Sequence, residues 1–397
     1  MKISTKANSC HLSPMRKFHP FAVEAKKRGV KIYHLNIGQP DIETPKEYFD
    51  AVRNFSSPVL AYAPSNGIPE MIDAVVGYYK GIGVNYAPDD VFITTGGSEA
   101  LQTVMLSILD EGSEVIIPEP FYPNYNTFVR AAGGVIRPLT TTPQEGYKYA
   151  VKERLEALIN EKTRAIMFTN PGNPTGTVLS PEELRLMADI AKKHGLYLIG
   201  DEVYREFVYG GEKLATIGAF DDIAENAVII DSVSKRFSAC GARIGTVITR
   251  NKLLQQQITK FCQARLSVAT LDQIASAALY KVGSGYFDAV RKEYKLRRDI
   301  CYRKLTQIKG VVCAEPKGAF YLMAALPVDN ADKFQKWLLT DFSDNGETVM
   351  FAPGEGFYAT EGKGKNEVRI AYVLKQSDLE RAMDLLKKGI EQYNKLK

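Results

Sequence analysis

Short apolar runs recur at residues 91–94, 114–117, 164–169, 196–199, 227–230 and 244–249, with helix-period stretches between them. Runs of that length read as strands buried on both faces. Their alternation with helical segments predicts right-handed crossovers and a mostly parallel sheet covered on both sides, an α/β fold. Several runs end in small or polar residues: Gly96-Gly97-Ser98, Pro118-Glu119-Pro120, Asn170-Pro171, Asp201-Glu202 and Ser232-Val233-Ser234-Lys235. Open parallel sheets bind ligands outside the carboxyl ends of their strands, so the pattern predicts one site assembled from many strand ends. From about residue 286 the pattern changes. A charged helix (Arg291, Lys292, Glu293, Lys295, Arg297, Arg298) reads as a solvated face; strand-like pieces follow at 319–324 and 368–373, then an amphipathic helix at 378–393. This predicts a large domain over residues 46–285 and a smaller α+β domain built from residues 1–45 and 286–397.

Composition narrows the function classes. Of 397 residues, 45% are hydrophobic and 24% charged, which is globular usage and excludes a disordered chain. The net charge of +5 is small for this length and argues against a dedicated nucleic-acid binder. Five cysteines (Cys10, Cys240, Cys262, Cys301, Cys313) are scattered, with no C-x-x-C pair, so neither a disulfide framework nor a zinc knuckle is indicated. Four histidines without ligand spacing suggest no metal. No apolar leader opens the chain and no uncharged apolar stretch of about 18 residues occurs, so the expectation is a soluble cytoplasmic protein away from membranes.

The strand ends carry the chemistry. Arg243 lies eight residues beyond Lys235, within Gly241-Ala242-Arg243-Ile244-Gly245. An amine flanked by two hydroxyls and a guanidinium suits a ligand with both a carbonyl and a phosphate; a solvated lysine past a strand is the plain alternative. Asp201 leaves an apolar run, where a carboxylate is costly without a cation such as a pyridinium nitrogen. Tyr204, three residues on, could reach an oxygen of the same ring; alternatively Asp201 caps a helix and Tyr204 fills the core. In Asn170-Pro171-Gly172-Asn173-Pro174-Thr175-Gly176 the prolines stiffen a turn that offers the Asn173 amide. Gly97 and Ser98, at a helix start, form an anion seat that matches neither Walker A nor G-x-G-x-x-G. Tyr122 follows another strand end and could stack on a flat heteroaromatic ring, although a lone aromatic there reads more simply as core filler. Arg369 interrupts an apolar strand and binds either a substrate carboxylate or a buried Asp or Glu.

Taken in order, these elements resemble the class I pyridoxal-phosphate-dependent aminotransferases of fold type I over nearly the whole chain. The resemblance implies that Lys235 is the Schiff-base lysine, Asp201 the partner of the pyridine nitrogen, and Asn173 and Tyr204 the contacts to the ring oxygen. Gly97, Ser98, Ser232, Ser234 and Arg243 match the phosphate cup, and Tyr122 the stacking ring. Arg369 matches the arginine that grips the substrate α-carboxylate, beside the backbone of Gly38 in Leu35-Asn36-Ile37-Gly38-Gln39-Pro40. Tyr62 resembles a tyrosine that reaches the cofactor phosphate of the other subunit, which implies a homodimer with shared sites. Pro316-Lys317-Gly318-Ala319-Phe320-Tyr321 and Pro353-Gly354 are further turns of this kind. Departures are Ala242, where a tryptophan is frequent, and Ala371, where a serine is common.

The implied reaction moves an amino group between an amino acid and a 2-oxo acid in a ping-pong cycle, with Lys235 as proton carrier. Aspartate or glutamate is the first expectation for substrate, by analogy with the subgroup; aromatic, alanine or broad specificity remains open. A second cation for a dicarboxylate would come from Arg265, Arg236 or Arg16, each of which also reads as an ordinary surface residue. The competing readings are a lyase or decarboxylase on the same cofactor, and a ligand-sensing domain of a transcription regulator. The latter needs a helix-turn-helix for which the first 45 residues offer no room.

Overall fold

Every one of those apolar runs is a strand in the computed structural model, which describes residues 1–210 and 214–396. In chain order the strands are β1 (Lys31–His34), β2 (Val91–Thr94), β3 (Glu114–Glu119), β4 (Val135–Thr140), β5 (Thr163–Thr169), β6 (Tyr197–Asp201), β7 (Ala227–Ser232) and β8 (Gly245–Ile248). They continue with β9 (Val312–Cys313), β10 (Tyr321–Ala325), β11 (Glu347–Met350), β12 (Ala352–Pro353) and β13 (Glu367–Ala371). A seven-stranded sheet has the order β2-β8-β7-β6-β5-β3-β4. Its strands alternate side chains between two cores: Ile116, Ile166, Leu198 and Ile229 enter one, and Val115, Ile117, Met167, Ile199 and Val228 the other. That period of two, with both faces apolar, is why these runs read as continuous hydrophobic segments.

Two features depart from the expected pattern. β8 pairs antiparallel with both β7 and β2. Only a four-residue helix, Val233–Arg236, and a short turn at Cys240–Ala242 separate it from β7, and without a crossover helix the chain comes back antiparallel. β4 contains Arg137 and Pro138 and buries only Leu139 fully, as befits an edge strand, so it leaves no apolar run to detect.

The remainder packs around a four-stranded sheet, β12-β13-β10-β9, and the parallel pair β1-β11. Phe320, Leu322, Ile370, Tyr372 and Leu385 form its core, which also takes in Tyr204, Phe207 and Tyr209 from the segment after β6. Helices Ser284–Thr306 and Gln376–Lys395 pack against each other. The charged helix is not a purely solvated face. Arg297 and Arg298 are buried; Arg297 Nη1 donates to Asp41 Oδ1 at 2.6 Å and to the Val373 carbonyl at 2.7 Å, and Arg298 Nη1 to the Pro316 carbonyl at 2.5 Å. These guanidiniums satisfy loop carbonyls that an apolar helix face would strand. Near the start of the chain, Phe18, Ala22, Ala25 and Ile32 pack with Leu339 and Met350. Helix Thr5–Ser9 instead lies on helix Asn124–Ala131, where Arg130 Nη1 donates to the Ser9 carbonyl at 2.6 Å, so residues 1–45 do not all pack with the C-terminal elements. Among the described residues no helix is long and apolar enough to cross a membrane.

Close to the carboxyl end of β7 lies a buried ion pair. Arg236 Nη2 is 2.5 Å from Asp231 Oδ2, which also accepts from the Tyr79 hydroxyl at 3.1 Å, and the guanidinium sits 3.9 Å from the centre of the Tyr78 ring. Both side chains are buried, so Arg236 is a structural residue and not a surface one. Asp231→Asn should therefore lower unfolding free energy by about 3–5 kcal/mol, because it strands a buried guanidinium. Adding Arg236→Met should recover part of the loss. Urea denaturation measures both, and a loss under about 1 kcal/mol for the single variant would refute this account.

Candidate active site

Strand register gathers the site. Thr169 pairs with Asp201, Asp201 with Ile230, and Ser232 with Gly245, so the carboxyl ends of β5, β6 and β7 and the start of β8 share one edge. A cavity of about 770 Å³ opens there, lined from both sheets and from residues 13–22 and 34–38. Gly38, Gly97, Ser98, Tyr122, Asn173, Asp201, Tyr204, Ser232, Ser234, Lys235, Arg243 and Arg369 all line it.

Ser232 ends β7 in extended backbone and accepts a hydrogen bond from the Ser234 N–H at 3.1 Å, which starts the short helix that carries Lys235. Lys235 Nζ points into the cavity, 2.9 Å from the Gly38 carbonyl and 3.7 Å from Cys240 Sγ; no carboxylate among the described residues pairs with it. Arg243 adopts the left-handed conformation (φ 54°) that turns the chain into β8, and Nη1 donates to the Cys240 carbonyl at 3.0 Å. A Cβ on Gly96 would come 2.5 Å from Arg243 Nη2, and one on Gly245 would come 2.4 Å from the Gly96 backbone. Glycines at both positions thus bring the N-terminus of helix Gly96–Ile108 against the guanidinium and the serine hydroxyls, an arrangement suited to a phosphate.

Asp201 is the last residue of β6 and no helix follows it, which excludes the helix-cap alternative. Its carboxylate is buried, accepts from the Tyr125 hydroxyl at 2.5 Å and from the Val203 N–H at 3.4 Å, and has no cation beside it among the described residues. Burial pushes its pKa up to about 6, against the pull of the Tyr125 bond. Arg369 shows the opposite imbalance. Among the described residues it is buried without any acid beside it: Nη1 donates to Asn173 Oδ1 at 3.1 Å, Nη2 to the Asn36 carbonyl at 2.8 Å, and Nε has no partner. Burial lowers its pKa. The alternative of a buried Asp or Glu partner is thereby removed. Tyr204 is buried, its phenol pushed well above its ordinary pKa, with its hydroxyl 3.0 Å from that of Tyr321. Tyr122 is half-buried against the cavity and accepts from Asn124 Nδ2 at 2.7 Å.

Of the three arginines considered for a second carboxylate, Arg236 pairs with Asp231 and Arg265 with Glu99. Arg16 lines the cavity without an ion-pair partner among the described residues. Tyr62 is absent from this cavity and 81% exposed, beside exposed Val59 and Leu60. Sequence reasoning left Tyr125, Asn36 and Tyr321 without roles although each sits in a motif it singled out. Their contacts to Asp201, Arg369 and Tyr204 span from 76 to 333 positions of sequence, and no local signal reports such separations. A flat ring with a protonated nitrogen, an aldehyde and a phosphate would meet the unpaired carboxylate, the amine and the anion seat together, so the residues present fit pyridoxal phosphate.

Comparison with known proteins agrees. The family model described as aminotransferase class I and II matches residues 30–386. An aspartate aminotransferase of Bacillus subtilis is 30% identical over 99% of this chain and 100% of its own. A probable aspartate/prephenate aminotransferase of Aquifex aeolicus is 28% identical over 98% and 99%. Among solved structures, a Thermus thermophilus aspartate aminotransferase variant superposes with a TM-score of 0.89 at 28% identity, covering 98% of this chain and 100% of that one. An alanine aminotransferase from Pyrococcus furiosus does so with 0.90 at 29%, over the same shares. With a family match across nearly its whole length, the chain belongs to the class I and II aminotransferases, fold type I enzymes that use pyridoxal phosphate to move an amino group between an amino acid and a 2-oxo acid.

Proposed function

We propose that the chain is an aspartate-type aminotransferase, acting in the cytoplasm as a homodimer. Its large domain spans residues 46–285, and its small domain residues 286–397 with most of 1–45. The observation that carries the site reading is the pair of opposite, uncompensated charges, Asp201 and Arg369, on the walls of the cavity that holds the Lys235 amine. When bound, pyridoxal phosphate supplies an aldehyde for the amino group and a protonated ring that takes up the electron pair left at the substrate α-carbon. Asp201 holds the proton on the ring nitrogen, and Tyr125 holds Asp201. Lys235 Nζ, in the cavity beside the Gly38 carbonyl, would hold the cofactor aldehyde and, as base and acid, would move the proton of the substrate α-carbon. Arg369, oriented by Asn173 and the Asn36 carbonyl, binds the α-carboxylate beside Gly38. The Gly97 and Ser98 N–H groups, Ser232, Ser234 and Arg243 hold the phosphate, Tyr122 stacks on the ring, and Asn173 and Tyr204 donate to the ring oxygen. Arg16 binds the second carboxylate of aspartate or glutamate, consistent with the names of the relatives. Tyr62 reaches the partner subunit's phosphate site, which its exposure in the single chain favours. Five free cysteines accord with a reducing compartment.

A panel of amino donors and oxo-acid acceptors on holoenzyme tests the reaction. Lys235→Ala should abolish transfer, and Arg16→Gln should raise KM for aspartate about tenfold or more while leaving alanine unaffected. Equal effects on both donors would remove Arg16 from the reading, and acceptor-independent ammonia release would favour a lyase.

Asp201 gives a pH test. Its folded pKa of about 6 exceeds the ordinary 3.8, so the folded apoenzyme binds more protons than the unfolded chain between those values. Stability of the apoenzyme accordingly falls as pH rises through that window, by about 3 kcal/mol in all. Apo Asp201→Asn lacks this fall, so its stability relative to wild type should grow from pH 4 to pH 7, and cofactor should close the gap. Parallel denaturation curves for the two apoproteins across that range would contradict the unpaired-carboxylate reading.

For the dimer, Tyr62→Ala and Lys235→Ala chains are to be co-expressed. One of the two sites in each mixed dimer then has both groups intact, so activity should exceed the mean of the parents. Activity at that mean would refute sharing.

A further inference from the structure

We infer that Tyr321 is a positioning residue of this site: its hydroxyl steers the proton of Tyr204 into the cavity, and its ring carries the guanidinium of Arg369. The inference rests on the reading that Tyr204 donates to the ring oxygen of the cofactor.

The two phenols are buried and their oxygens lie 3.0 Å apart. Tyr321 also lies 3.4 Å from the Gly38 carbonyl oxygen, which already accepts from Lys235 Nζ at 2.9 Å. A carbonyl oxygen only accepts, and each phenol has a single proton, so two arrangements exist. In one, Tyr204 donates to Tyr321, which donates to Gly38. In the other, Tyr321 donates to the Tyr204 oxygen, which frees the Tyr204 proton for the cavity. An anionic ring oxygen is a stronger acceptor than a neutral phenol or amide and selects the second arrangement. Tyr321 then polarises the Tyr204 O–H and strengthens its donation. Tyr204 has no other hydrogen-bond partner among the described residues, so without the Tyr321 hydroxyl its oxygen is buried alone. Room for this hydroxyl depends on residue 38 being glycine, because a Cβ there would sit 1.8 Å from it.

The ring serves the other partner. The Arg369 guanidinium lies 4.5 Å from the centre of the Tyr321 ring and 5.0 Å from that of Phe357. With Nε unpartnered and no acid nearby, these aromatic faces hold the charge until a carboxylate arrives. Tyr321 thus touches both the group that reads the substrate and the group that tunes the cofactor.

The experiment follows the pH midpoint of the visible absorption of resting holoenzyme, which reports the proton on the link to Lys235. Donation to the ring oxygen draws off negative charge that would otherwise retain that proton, so a weaker donor raises the midpoint. Tyr321→Phe, which keeps the ring, should raise it by about 0.5 to 1 pH unit, lowering kcat while KM for the amino donor stays within about twofold. Tyr321→Leu should show the same rise and add an increase in KM of about five- to tenfold. If Tyr321→Phe does not fold, Gly38→Ala, whose methyl displaces the hydroxyl, bears the same expectation for the midpoint. Tyr204→Phe is the reference. A shift in that variant with none in Tyr321→Phe overturns this inference and leaves the site reading in place; no shift in either overturns both.

Discussion

A slip of one residue between β6 and β7 would turn Asp201 from the cavity to the opposite face of the sheet and move Lys235 with respect to it. Register is the constraint on which the rest depends. It is held from both faces, because alternate residues of each strand enter two separate apolar cores and neither set can be exchanged without burying the wrong side chains. The geometry of the cavity edge is therefore a consequence of core packing: Thr169, Asp201 and Ile230 lie abreast because Ile166, Leu198 and Ala227 do so further down the strands.

Buried charges in this chain differ in how they are compensated. Asp231 with Arg236, and Glu202 with Arg205, are closed pairs whose charges cancel inside the protein. Asp201 and Arg369 are buried with hydrogen bonds but no counter-charge among the described residues. Leaving a charge so exposed to a low dielectric costs several kcal/mol, a cost that persists in folded proteins where a ligand removes it. Preorganised charges of this kind need no rearrangement when the ligand binds, which is the condition for stabilising charge that develops in a reaction.

The segment that follows β1 is tied to β11 and β13 through backbone links. Leu35 N–H donates to the Met350 carbonyl at 2.7 Å, and Ala371 N–H to the Leu35 carbonyl at 2.8 Å, which brings the Asn36 and Gly38 carbonyls beside Arg369 and Lys235. β10 pairs with β13 so that Tyr321 faces Ala371, two positions from Arg369. The segment from the start of the chain, the C-terminal sheet and the large sheet thus each contribute groups to a single hydrogen-bonded cluster.

By itself the sequence determined the strand runs, the α/β class and the residues at the strand ends, since buried strands need unbroken apolar runs and the turns after them need glycine, proline or short polar side chains. Family resemblance then attached roles to Lys235, Asp201 and Arg369. The sequence was silent about β4, whose edge position removes the hydrophobic signal, and about the burial of the guanidiniums of Arg236, Arg297 and Arg298, two of which also reach loop carbonyls. Only the tertiary structure decided which charges are paired and which are left open. A polar residue near a charge in the chain does not reveal whether that charge is buried or what lies beside it from other elements, and a linear pattern of polar and apolar positions does not encode either.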